Sequence, residues 1–127
     1  MTHTPKRILV VDDHVDTAQS FAALLRALGH QVEAVTNSAH VEARVAELEP
    51  HIVFLDIGMP QLNGWQVAER LRARYPQEAL KLVAITAYGE AHDRARSRRA
   101  GFDAHLVKPA SVDLVESILT QFFTQGR

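Results

Sequence analysis

The 127-residue chain contains no cysteine, so disulfide bonds and thiolate–zinc centres are excluded. It also lacks an excess of either charge. With 14 Lys and Arg against 15 Asp and Glu, it offers no electrostatic case for general binding to nucleic acid or to a membrane surface. Long hydrophobic runs are missing too, and no stretch approaches the roughly 18 apolar residues of a membrane span. Behind the polar start MTHTPKR the apolar run Ile8–Val11 is too short for the central segment of a signal peptide. Repeats, linkers and low-complexity tracts are absent. What remains is ordinary for a globular protein, with 46% hydrophobic and 23% charged residues. The expectation is one domain over 1–127, ordered over about 6–123, cytoplasmic, with no membrane insertion and no direct nucleic-acid binding.

What is present alternates between two textures. Short apolar, largely β-branched runs at Ile8–Val11, Val32–Val35, Ile52–Leu55, Leu82–Thr86 and Ala104–Val107 read as strands. Between them lie segments of helical period. Ala18, Phe21, Leu25 and Leu28 share a face before Gly29 ends the first helix. Asn37 or Ser38 caps the second, where Val41, Val45 and Leu48 align before Pro50. The third carries Val67 and Leu71 and ends near Tyr75-Pro76, and the fourth spans Ala91–Ala100 ahead of Gly101. Ser111 caps the fifth, with Val112, Val115, Leu119 and Phe122 as its expected buried stripe. Strands alternating with helices imply right-handed crossovers and a parallel sheet covered on both faces. Five of each in one small domain predict an α/β, flavodoxin-like, doubly wound fold.

In such a sheet ligands bind beyond the carboxyl ends of the strands, where the strand order reverses. Asp12 and Asp13 follow the first strand, Asp56 the third, Thr86 ends the fourth, and Lys108 follows the fifth. If the order is 2-1-3-4-5, all five converge on one edge. Clustered carboxylates repel one another unless a cation joins them. Mg²⁺ suits that need, because it accepts a few carboxylates, a backbone carbonyl, waters and phosphate oxygens. Lys108 and Thr86 would then hold phosphoryl oxygens by charge and by hydrogen bond, and a carboxylate can attack phosphorus. Taken singly, each residue has a plain structural use: an Asp as a helix cap, an acid in a loop, a lysine at a solvated strand end. Their combination at four strand ends is what points to chemistry.

With the motifs "LVVDD", "VFLDIGMPQLNGW", "ITA" and "LVKP", the chain resembles the receiver domain of two-component response regulators over essentially its whole length. The resemblance implies the strand order 2-1-3-4-5. It implies that Asp56 is the phosphoacceptor and that Asp12, Asp13, Asp56 and the backbone carbonyl of Gly58 hold Mg²⁺, or alternatively Mn²⁺. Lys108, Thr86 and Ala87 would accommodate the phosphoryl group, and Met59-Pro60 and Gly64 match the loop after the acceptor. Thr86 and His105 would form the switch, His105 standing where the family most often has Tyr or Phe. An imidazole there would make switching sensitive to protonation near neutral pH. Gly58 and Tyr88 flank the phosphoryl group at positions that tune access of water. The implied donor is a phosphohistidine on a sensor histidine kinase or a histidine phosphotransfer protein, and the downstream target is unknown.

A haloacid-dehalogenase-type Mg²⁺-dependent phosphatase or phosphotransferase also uses a nucleophilic Asp after a strand. It usually carries a second acid two residues later, where this chain has Gly58. The chain is therefore expected to catalyse only its own phosphorylation and dephosphorylation and not to be an enzyme on external substrates. A nucleotide or flavin module would need a glycine-rich loop after the first strand, which instead runs into DDH. Arg94, Arg96, Arg98 and Arg99 lie within six positions, as a solvated face or, at Arg94 and Arg98, as a partner surface or homodimer face around helices four and five. His14, His40 and His92 show no metal-ligand spacing and are expected at the surface. The few residues after Phe123 fit a stand-alone receiver or one excised from a hybrid histidine kinase.

Overall fold

A computed structural model describes residues 5–58, 64–86, 91–108 and 111–123, without the side chains of 91–93. In chain order the elements are β1 (Arg7–Val11), α1 (Val15–Ala27), β2 (Gln31–Val35), α2 (Val41–Leu48), β3 (Ile52–Asp56), α3 (Gly64–Arg74), β4 (Lys81–Thr86), α4 (Ala91–Ala100), β5 (Ala104–Val107) and α5 (Val112–Phe123). Every strand expected from the sequence is there, most of them lengthened by one residue. The strands pair in parallel in the order β2-β1-β3-β4-β5. This is the doubly wound flavodoxin-like arrangement.

Successive strand side chains point to opposite faces, so each buried run feeds two cores. Leu9, Val11, Val53, Leu55, Leu82 and Ala84 meet Val41 and Val45 of α2, Val67 and Leu71 of α3 and Ala100 of α4. Ile8, Val10, Ile52, Phe54, Val83 and Ile85 meet Ala18 and Leu25 of α1 and Val115 and Leu119 of α5. Phe21 closes edge-to-face on Phe54, with ring centroids 5.1 Å apart. β3 is buried at all five positions, so the residue at its carboxyl end is fixed by packing on both faces.

Local chemistry sets the helix ends. Gly29 and Gly101 take φ of 101° and 110°, the left-handed turn after a helix that a side chain would strain. Two expectations need correction. Asn37 accepts the Ala39 N–H and caps a single 3₁₀ turn, Ser38–His40, ahead of α2 rather than α2 itself. Val112 is 41% exposed, because α5 begins one turn before it reaches the sheet; Ile118 takes its place in the stripe beside Val115 and Leu119. Ser111 does cap α5, accepting the Leu114 N–H at 3.1 Å.

Candidate functional site

The strand order places the ends of β1 and β3 side by side, at the point where successive connections turn to opposite sides of the sheet. Asp12 continues the β1 ladder by one bond, its N–H donating to Val35 O at 3.1 Å. Its Oδ1 accepts the His14 N–H at 2.9 Å, which turns the chain toward α1. Neither Asp12 nor Asp13 caps that helix; His14 occupies the cap position, without a side-chain capping bond. Asp56 ends β3. Its Oδ1 accepts the Gly58 N–H at 2.9 Å, and the Ile57 N–H bonds Ile85 O on β4 at 3.1 Å.

Lys108 reaches this edge from the end of β5, anchored by its N–H to Thr86 O at 2.7 Å. Its ammonium lies 3.0 Å from Asp12 Oδ2 and 3.3 Å from Asp56 Oδ2. Two almost fully buried carboxylates thus share one cation, and a third acid stands beside them. Asp13 Oδ1 is shut off from solvent, with no hydrogen-bond donor among the described residues. A buried carboxylate oxygen without a donor is costly, and a divalent cation is the partner that would satisfy it. Asp12, Asp13, His14 and Asp56 each offer a ligand atom, all within 4.8 Å of one another. The three carboxylates are hard oxygen donors of the kind that Mg²⁺ selects.

Burial raises the Asp56 pKa above the usual carboxylate value; the Gly58 N–H and the Lys108 charge counter it, and Asp12 adds to it. For Lys108 burial works in the opposite direction, yet the hydrogen bond to Asp12 and the charges of Asp56 and Asp12 leave the ammonium held above its ordinary range. The site is therefore short of positive charge even with Lys108 in place.

Thr86 ends β4, nearly buried, one residue past Ile85, the partner of Asp56 in the sheet. Ala87, Tyr88, Met59 and Pro60 lie outside the described residues. Gly64 is bound tightly to the site from behind: a Cβ there would stand 2.5 Å from Ile57 Cα and 2.7 Å from Asp56 O. His105 is not at the acidic edge. It sits on β5 opposite Ala84 and, with Arg94 and Arg98, lines an open cleft of about 380 Å³ between α4 and β5. Arg96 instead stacks on Trp65, its guanidinium 4.1 Å from the ring centroid, while the indole N–H donates to buried Ser97 at 3.0 Å.

His14 and His40 are exposed, as expected, and the His92 side chain is outside the described residues. The nearness of His14 to the acids went unseen in the sequence, where only two-histidine spacings were sought. Arg72 and Asp103 went unseen as well. They form an ion pair at 2.9 Å, the Asp103 carboxylate buried and the Arg72 side chain largely so, across 31 residues, a separation that leaves no local pattern to read.

Comparison with known proteins agrees with this fold. The family model described as the response regulator receiver domain matches residues 8–120. Protein PilH of Pseudomonas aeruginosa is 32% identical over 103 residues, covering 81% of this chain and 85% of PilH. The sensor histidine kinase RcsC of Escherichia coli is 29% identical over 120 residues, covering 94% of this chain but 12% of that longer protein. A solved CheY-like receiver domain from Methanospirillum hungatei superposes with a TM-score of 0.83 at 28% identity, covering 94% of each chain.

Proposed function

The chain belongs to the response regulator receiver domain family, a module of two-component signalling, and from that premise we propose that Asp56 accepts the phosphoryl group. The observation that carries this reading is the convergence of Asp12, Asp13, Asp56 and Lys108 on one strand edge, with one acid oxygen left without a donor. A carboxylate oxygen of Asp56 attacks the phosphorus of a phosphohistidine on a sensor kinase or phosphotransfer protein. The P–N bond breaks, the imidazole leaves, and an aspartyl phosphate forms. Mg²⁺, or Mn²⁺ in its place, held by Asp12, Asp13, Asp56 and the Gly58 carbonyl, would neutralise charge on the transferring group.

The residues of the chain supply the rest. Lys108, which reaches Asp56 from β5, follows the phosphoryl oxygens once they arrive, giving up its bond to Asp12. Thr86 turns its hydroxyl toward the same oxygens, and His105 follows, linking the site to the α4–β5 cleft. That cleft is where Arg94 and Arg98 meet a downstream partner or a second copy of the chain. Gly58, lacking a side chain, leaves water an open approach to the acyl phosphate. Turnover of external substrates is not part of this reading, because Gly58 stands where a second acid would be needed.

The test is phosphorylation with acetyl phosphate and Mg²⁺, followed by intact mass, in parallel with beryllofluoride followed by Trp65 fluorescence. Wild type gains one phosphoryl group and its indole, packed against Arg96 and Ser97, changes emission. Asp56→Asn gains none at that site. Equal phosphorylation of Asp56→Asn would overturn the assignment.

A further inference from the structure

The acidic edge carries one donor that is not oxygen. The Nδ1 atom of His14 lies 3.4 Å from Asp12 Oδ1 and 3.5 Å from Asp13 Oδ1. Both distances exceed those of ordinary hydrogen bonds. They match the spacing of neighbouring ligands on a tetrahedral ion, roughly 3.4 Å with 2.0–2.2 Å bonds, and exceed the roughly 3.0 Å around an octahedral ion with 2.1 Å bonds. The ring is not spent elsewhere. It makes no capping bond to α1, and at 72% side-chain exposure it supports no core. The backbone nevertheless holds it in place, because the His14 N–H is tied to Asp12 Oδ1, one of the two carboxylates the ring faces.

We propose that His14 turns the acidic edge into a mixed oxygen–nitrogen site that selects late first-row divalent ions, of the Co²⁺ and Zn²⁺ type, over Mg²⁺. This rests on the reading of that edge as the ion site. An imidazole gives little to Mg²⁺, which keeps oxygen ligands and water, whereas it binds the later ions strongly. Asp13 Oδ1, buried and without a donor, stands next to the ring and would be bound by the same ion. Among the described residues no other histidine joins a group of acids close enough to share an ion.

Co²⁺ and Mg²⁺, each alone, are titrated into the full chain by calorimetry, with the visible spectrum of Co²⁺ as a second readout. Wild type binds both ions at one site. His14→Ala loses about tenfold or more in Co²⁺ affinity, the scale on which removing a group beside a metal acts, while its Mg²⁺ affinity stays within about twofold. The Co²⁺ absorption bands shift in the same variant as nitrogen leaves the ligand set. Asp13→Asn weakens both ions. An unchanged Co²⁺ affinity in His14→Ala, an equal loss of both ions, or an unchanged Co²⁺ affinity in Asp13→Asn beside a weakened Mg²⁺ affinity would each overturn the proposal and leave the Mg²⁺ site standing. Failure of wild type to bind either ion would overturn the site as well.

Discussion

Among the described residues, two groups of largely buried charges stand in contrast: one is closed and the other is open. At the α3–β5 junction, Arg72 donates to Gly101 O, to Leu80 O at 2.8 Å and to Asp103 Oδ2 at 2.9 Å. Asp103 also accepts the Leu82 N–H at 2.8 Å and the Gln77 amide. One acid meets one base, and both carboxylate oxygens have donors. At the other end of β4, Asp12 and Asp56 share one lysine, Asp13 stands beside them, and an oxygen of Asp13 has no donor. Burial is similar at the two places: the Asp103 side chain is 3% exposed, that of Asp12 5%. The difference lies in the charge count and in the unfilled oxygen. A balanced, saturated pair fastens the fold, whereas an unbalanced one holds a place for a cation.

Breaking the closed pair costs most. Arg72→Ala leaves Asp103 buried without its cation, and unfolding in urea registers a loss of about 3–5 kcal/mol, the usual range for removing one partner of a buried pair. Phosphorylation per folded molecule stays at the wild-type level, since Arg72 touches nothing at the acidic edge. Gly64→Ala sharpens the contrast from the other side. Its methyl meets the backbone of Ile57 and the carbonyl of Asp56, so about 1–3 kcal/mol is lost and the rate of phosphoryl uptake falls with it.

At the open site, removing a charge stabilises. The folded state raises the pKa of Asp56, so between its unfolded value and that raised value the native state binds more protons than the unfolded chain. The contribution of Asp56 to stability is thus most favourable below the unfolded pKa and is lost as pH rises through the folded one. Asp56→Asn, measured without divalent ions at pH 7, melts a few degrees higher than wild type, a gain on the order of 1 kcal/mol, and the gain shrinks as pH falls toward 4. A variant that melts lower at pH 7 and is insensitive to pH would erase the distinction between the two groups.

The contrast also separates what the chain reveals in one dimension from what it hides. The open group is legible because its members are strand-end residues: once β1, β3, β4 and β5 are read from their apolar runs, topology alone brings Asp12, Asp56, Thr86 and Lys108 to one edge. The closed group is invisible, because Arg72 sits in the last turn of α3, where a basic residue is ordinary, and its partner is 31 residues away. Val112 is misread for a related reason: the spacing of α5 continues one turn past the edge of the surface it covers. Asn37 has the chemistry of a cap, and whether it caps a 3₁₀ turn or the helix behind it depends on backbone angles that composition does not specify. His14 is overlooked because its partners precede it by one and two residues, closer than the spacings by which metal ligands are usually sought.

Thermal unfolding across a Mg²⁺ titration addresses the crowded carboxylates directly. An ion that binds only the folded chain raises stability by about 2.7 kcal/mol at a hundredfold excess over its dissociation constant. Wild type and Arg72→Ala show that rise with the logarithm of Mg²⁺ concentration, and Asp13→Asn does not over the same range. A wild-type melting temperature indifferent to Mg²⁺, or the same rise in Asp13→Asn, would contradict the account.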